Sequence, residues 1–182
     1  MGNDPSLERA IGLTAVRRFE HQIEQLNPGA SDYAEQLARV QAEKVAFQLA
    51  ECQKRVEKYP TDLTIRFEMG ALYFQAGKIG EAIKEFQKAQ DNPHKRIAAL
   101  GYLAQCFAKR KMYDIAAETL QNAIKEKVVF DEEKKDLIYQ LGSVLESMDK
   151  KAEAIEQFKL IYKVDASYRD VEAKVDAFYA AQ

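Results

Sequence analysis

Three stretches of this chain lie over one another in register: AGKIGEAIKEFQKA ending at Ala89, KRKMYDIAAETLQNA ending at Ala123, and DKKAEAIEQFKLI ending at Ile161. Their anchoring alanines, Ala82, Ala116 and Ala154, stand 34 and then 38 residues apart. Upstream of each comes a matching pair, Met69-Gly70, Leu103-Ala104 or Leu141-Gly142, followed three residues later by Tyr73, Phe107 or Leu145. The small residue lets two helix backbones approach, and the large one fills the space one turn on. A period of this length read three times means helix pairs that bury their faces only by stacking on one another.

On these residues, 63 to 163 resemble three tandem tetratricopeptide repeats, whose period is about 34 residues. The resemblance implies an all-α, right-handed superhelix. Repeats are expected at about 63–93, 97–127 and 135–166, after an N-terminal helical hairpin in 1–60 and before a capping helix at 167–182. The chain departs from the family pattern in having no tryptophan. Arg66, Leu100 and Ile138 take the usual large first-helix position, and the stem of Arg66 can cover apolar surface while its charge reaches water. The longer second interval is the same period with an insertion, Val128-Val129-Phe130, expected to fold back on neighbouring helices.

Helix punctuation agrees with the repeat. Tyr59-Pro60-Thr61-Asp62 breaks one helix and offers Thr61 or Asp62 as the next N-cap, Gly77 closes the helix that follows, and Asp131 reads as an N-cap. The predicted helices are 63–76, 79–90, 95–109, 113–126, 132–147 and 151–163. Leu7, Ile11, Ala15, Phe19, Ile23 and Leu26 mark an amphipathic helix that ends at Asn27-Pro28-Gly29. Ser31 or Asp32 then caps a helix running to Tyr59, about 40 Å at 1.5 Å per residue. Its first half faces the N-terminal helix and its second half the first repeat. Val171, Val175 and Phe178 continue the helical pattern to the end, as a solvating cap requires.

A chain of 182 residues, 47% hydrophobic and 31% charged, can bury a core without a disulfide or metal staple. A formal charge of −2 gives no general drive towards nucleic acid or anionic membrane. No apolar run of roughly 18 residues is present to span a bilayer. Cys52 and Cys106 fall on apolar helix faces and read as buried thiols, compatible with a reducing, cytoplasmic setting. His21 lies three residues before Glu24 and His94 sits in a turn; neither has the partners a metal or catalytic site needs. No phosphate-binding glycine loop or nucleophile elbow occurs. No cofactor and no enzymatic activity are expected.

The resemblance implies that the first helix of each repeat lines a concave groove. The first repeat would contribute Phe67, Ala71, Phe74 and Gln75. The second would contribute Ala98, Gly101, Tyr102, Gln105 and Lys109, with Gly101, Ala98 and Ala108 leaving a depression beside Tyr102. The third would contribute Tyr139, Gln140 and Ser143. Family members that clamp a chaperone's C-terminal carboxylate use lysine, arginine and asparagine; the matching sites here hold Phe67 and Ala71, Gly101 and Gln105, and Tyr139 and Ser143. The expected function is therefore a non-catalytic adaptor or scaffold that binds a protein or peptide, not nucleic acid, through aromatic groove contacts. The alternative is a self-assembling homo-oligomer.

Overall fold

A computed structural model describes residues 5 to 180, with side chains from residue 12 onward. The side chains of Leu7 and Ile11, and the chain ends of the expected hairpin and cap, lie outside the described residues. The described residues form nine helices: α1 (Pro5–Glu24), α2 (Tyr33–Lys58), α3 (Leu63–Gln75), α4 (Ile79–Ala89), α5 (Arg96–Lys109), α6 (Tyr113–Glu126), α7 (Glu132–Ser147), α8 (Lys151–Tyr162) and α9 (Val171–Ala180). Each helix packs on the next, and α3 and α7 also touch α5. This is the all-α superhelical stack that the period implies.

The first and third repeats close on the same small-against-large contact. A Cβ on Gly70 would come within 2.8 Å of Phe86, and one on Gly142 within 2.6 Å of Phe158. In the middle repeat Ala104 stands in register with the two glycines and the smaller Leu120 with the two phenylalanines; both are buried. Ala82, Ala116 and Ala154 are all at most 1% exposed. The turn inside each repeat is also repeated: Gly77, Lys111 and Asp149 adopt φ of 71°, 61° and 59°. The residue after each, Lys78, Met112 or Lys150, donates its N–H to the carbonyl of Tyr73, Phe107 or Leu145 at 2.9 to 3.0 Å. That is the six-to-one closure of a helix by a left-handed residue.

The caps follow the sequence where a side chain can reach. Asp62 accepts from the N–H groups of Thr64 and Ile65, and Asp131 from that of Lys134. Asp32 precedes α2, but its carboxylate accepts from the Gln36 side chain instead of a backbone N–H. The last helix starts at Val171, four residues later than expected, because 167–170 form turns and Arg169 takes a φ of 52°. Arg66 keeps its stem inside while its guanidinium meets Glu85 at 3.2 Å and the Pro60 carbonyl at 3.1 Å.

One core of buried residues runs from α4 through α9, while Cys52, Val56, Ile65 and Met69 form a separate cluster joining α2 to α3. The α1–α2 contact includes Phe19 against Phe47, ring centroids 5.9 Å apart, and Lys44 paired with Glu20 at 2.8 Å. The insertion corrects the expectation: Val128, Val129 and Phe130 are 87%, 64% and 39% exposed, not folded back. Lys127 binds both Asp131 and Glu133, and Lys134 reaches the Lys127 carbonyl, so the loop is closed at its base and its apolar tip is held outward.

Candidate protein-binding cleft

Helical stacks of this kind place first helices side by side, as α3, α5 and α7 are here. At the N-terminal end that pattern stops. Among the described residues α1 packs on α2 alone and makes no contact with α3. The gap left between them over α2 is a cleft of about 550 Å³, within the size range of small-ligand sites and open along one side. Leu13 and Val16 of α1, Phe47 and Cys52 of α2, and Phe67, Ala71 and Leu72 of α3 line it. Glu51, Lys54, Arg55, Lys58 and Glu68 add the polar part. Leu13 is 54% exposed, a large apolar group without cover.

The polar groups hold the walls. Arg55 donates to Glu68 at 2.5 Å, tying α2 to α3, and Lys54 meets Glu51 on its own helix at 2.5 Å. The Cys52 thiol lies 3.8 Å from the Ile65 carbonyl, and burial pushes its pKa up, so it serves as a packed apolar group.

The twelve residues expected in the groove fall into distinct places. Phe67, Phe74 and Tyr102 come together: Tyr102 meets the Phe67 and Phe74 rings edge-on at 5.8 and 5.5 Å and stacks on Phe86 at 4.8 Å. The Lys109 ammonium sits 5.3 Å over the Phe74 ring. Phe67 and Ala71 also wall the cleft. Gln75 borders a different hollow, with Ile23, Val45 and Leu49. Gly101 is buried, with Leu137 Cδ2 3.3 Å from where its Cβ would stand, so it serves the approach of α5 and α7. Ala98 and Gln105 are half-buried on the same helix as Tyr102.

Tyr139, Gln140 and Ser143 lie on α7, and the C-terminal segment covers Tyr139. The Tyr139 hydroxyl donates to Asp170 at 2.7 Å, and Arg169 lies 4.6 Å over its ring. Burial, and then the bond to Asp170, push the Tyr139 pKa up to about 12. Ser143 donates to the Tyr139 carbonyl at 3.0 Å, and the Gln140 amide to Asp136 at 2.6 Å, leaving Gln140 Oε1 buried without a partner.

Of the twelve expected site residues only Phe67 and Ala71 line the cleft; Leu13, Val16, Phe47 and Leu72 are among the lining residues that the sequence reading did not assign to a site. The signal was present: Leu13 and Val16 form a second apolar flank beside the Ala15, Phe19 and Ile23 stripe, wider than one neighbouring helix can cover. Among the described residues no helix is long and apolar enough to cross a membrane, and no group of His, Cys, Asp or Glu is placed to hold a metal ion.

No protein-family model matches the chain, and no curated protein does. Solved structures do. The chain is similar to a crystal structure of MamA, with a TM-score of 0.66 and 19% identity over 80% of this chain and 82% of that one. It is also similar to TTC0263, a thermophilic TPR protein in Thermus thermophilus, with a TM-score of 0.59 and 18% identity over 94% and 97% of the two chains. At such identities the likeness concerns the path of the backbone, and together with the repeated turns and the Gly70–Phe86 and Gly142–Phe158 contacts it establishes that this chain has the tetratricopeptide-repeat fold.

Proposed function

We propose that the protein is a non-catalytic interaction module, an adaptor or scaffold, that takes a helical or extended segment of another protein into the cleft between α1 and α3. The observation that carries this reading is the missing helix contact: an apolar slot beside the face that first helices present, with Leu13 uncovered at its edge. A bound segment would add the neighbour that α3 lacks on that side and remove apolar area from water, stabilising by about 25 cal/mol per Å² before the cost of ordering. Phe67 and Ala71 contribute the wall, while Arg55, Lys54 and Lys58 meet polar groups at the rim. Phe74, Tyr102 and Lys109 continue the face beyond the cleft, towards α5.

The test is affinity capture from the source organism with the native chain, a Leu13→Glu/Ala71→Glu variant, and a Tyr102→Ala/Tyr139→Ala variant. A protein held by the native chain and lost by the cleft variant, with both folded by circular dichroism, supports the cleft. Retention by the cleft variant and loss by the tyrosine variant moves binding to the middle of the groove. Identical capture by all three removes the proposal.

A further inference from the structure

Helix α5 carries charge that its own stability does not require. Lys95 precedes it and Arg96 is its first residue, with no acidic residue in the first turn, so two cations stand at the positive pole of the helix. Arg96 is offset by Glu126, to which it donates at 2.6 and 2.8 Å. Lys95 has no carboxylate of its own; its ammonium lies 5.3 Å over the Phe67 ring. At the other end of α5 the Lys109 ammonium lies over the Phe74 ring in the same way, at 5.3 Å. A ring orients an ammonium without neutralising it, because the ring carries no net charge.

The two lysines share a stripe. Lys95, Tyr102 and Lys109 follow at intervals of seven residues, about two turns each, and Tyr102 meets both phenylalanines edge-on between them. Gln105 stands on the same stripe, one turn after Tyr102. The carboxylates around them are engaged elsewhere. Helix α5 has none, Glu68 of α3 is held by Arg55, and on α7 Glu132 meets Lys135, Glu133 meets Lys127, Asp136 meets Arg169 and Glu146 meets Lys174. Asp62 accepts from its cap N–H groups. Asp91 and Asp114, the acidic residues nearest to α5 in sequence, pair with neither lysine. Arg110 and Lys111 directly after Lys109 add to the surplus of positive charge.

Resting on the reading of the protein as an interaction module, we infer that this stripe binds an acidic segment of another protein, laid along α5 with one carboxylate on Lys95 and one on Lys109. Fourteen residues of helix rise about 21 Å, a length that about six residues of extended chain cover. The half-buried Tyr102 hydroxyl and Gln105 amide, between the lysines, hydrogen-bond to its main chain. Because a ring already positions each ammonium, little side-chain freedom is lost on binding. Nucleic acid fits less well, since single strands stack on open ring faces and these rings are packed against one another. Phe67 is shared with the α1–α3 cleft, and both lysines lie outside it.

Selection of random twelve-residue peptides displayed on phage against the full chain tests this. The recovered sequences are expected to carry two Asp or Glu residues about six positions apart. A synthetic peptide of such a sequence, followed by fluorescence anisotropy, should bind about tenfold or more weakly to Lys95→Ala/Lys109→Ala, and equally weakly once its own acids are changed to Gln. Lys95→Gln/Lys109→Gln takes the place of the alanine variant should that lose its far-ultraviolet helix signal. Lys84→Ala/Lys125→Ala, on exposed positions of α4 and α6, and Leu13→Glu, in the cleft, should leave binding within about twofold. Recovered peptides without paired acids, no recovered peptides, or equal binding by the folded lysine variant overturns the inference, as does tighter binding of a twelve-residue oligouridylate. If the recovered peptides lack acids and are lost by Leu13→Glu, the stripe fails and the cleft remains a binding site.

Discussion

Tyr102 lies flat on Phe86, the ring centroids 4.8 Å apart and the planes 10° from parallel. The tyrosine belongs to the first helix of the second repeat and the phenylalanine to the second helix of the first. A half-buried residue of one repeat's first helix thereby joins two repeats.

Replacing Tyr102 with alanine should therefore destabilise the chain by about 2–4 kcal/mol, in the range of aromatic truncations in packed sites. Tyr102→Phe keeps the stack and should stay within about 1 kcal/mol of the native chain. Urea unfolding followed by circular dichroism measures both. Equal stability of the alanine variant would show that the stack holds nothing together.

The three packed glycines should respond to alanine in order of the space each has. Gly142→Ala meets Phe158 at 2.6 Å, Gly70→Ala meets Phe86 at 2.8 Å, and Gly101→Ala meets the end of Leu137 at 3.3 Å. The first two should cost roughly 1–3 kcal/mol by overpacking. Gly101→Ala should come closer to neutral, because helix propensity returns up to about 1 kcal/mol. Thermal melts of the three variants give the ranking directly.

Lys111 occupies, at φ 61°, the turn position that Gly77 fills in the first repeat. A side chain there carries left-handed strain of about 1–2 kcal/mol, offset in part by the freedom glycine loses on folding. Lys111→Gly should raise stability by roughly 0.5–1 kcal/mol, whereas Gly77→Lys should lower it by a similar amount. A pair of denaturation curves with opposite displacements would bear this out.

Lys135 is only 8% exposed and donates to Asp165 at 2.8 Å, holding the C-terminal segment against α7. The bond from Lys135, and then that from Ser167, hold the Asp165 carboxyl below its ordinary value of 3.8. The folded state thus favours the carboxylate, so the contribution of Asp165 is full above about pH 4 and is lost as pH falls through the lowered folded value. In Asp165→Asn that part of the acid dependence should vanish, while neutral-pH stability drops and the Lys135 ammonium is left with Glu132. Stability measured from pH 7 to pH 3 for both chains gives the comparison; parallel curves would exclude the pair as a source of acid sensitivity.

Much of the fold was legible because repeated packing leaves repeated residues. Gly70 and Gly142 can be read as close contacts, and Asp62 and Asp131 as caps, since each acts on groups within a few residues or one period. The helix limits followed for the same reason. The candidate site was less legible. Phe67, Phe74 and Tyr102 were expected to line a groove, and the sequence does not say that their rings lie against one another and Phe86. Tyr139 was read as open groove, and it is covered by Asp170 and Arg169, some thirty residues away in the chain.

The amino-acid sequence by itself determined the repeat period, the positions of the turns and the close contacts at Gly70 and Gly142. These depend on local backbone preference and on nearest-neighbour packing, which a period makes visible. Only the tertiary structure decided that among the described residues α1 packs on α2 and not on α3, that Val128, Val129 and Phe130 face outward, and that the C-terminal segment folds over Tyr139. Each of those depends on whether two surfaces far apart in the chain meet, and an apolar residue reads the same in sequence whether its neighbour is present or missing.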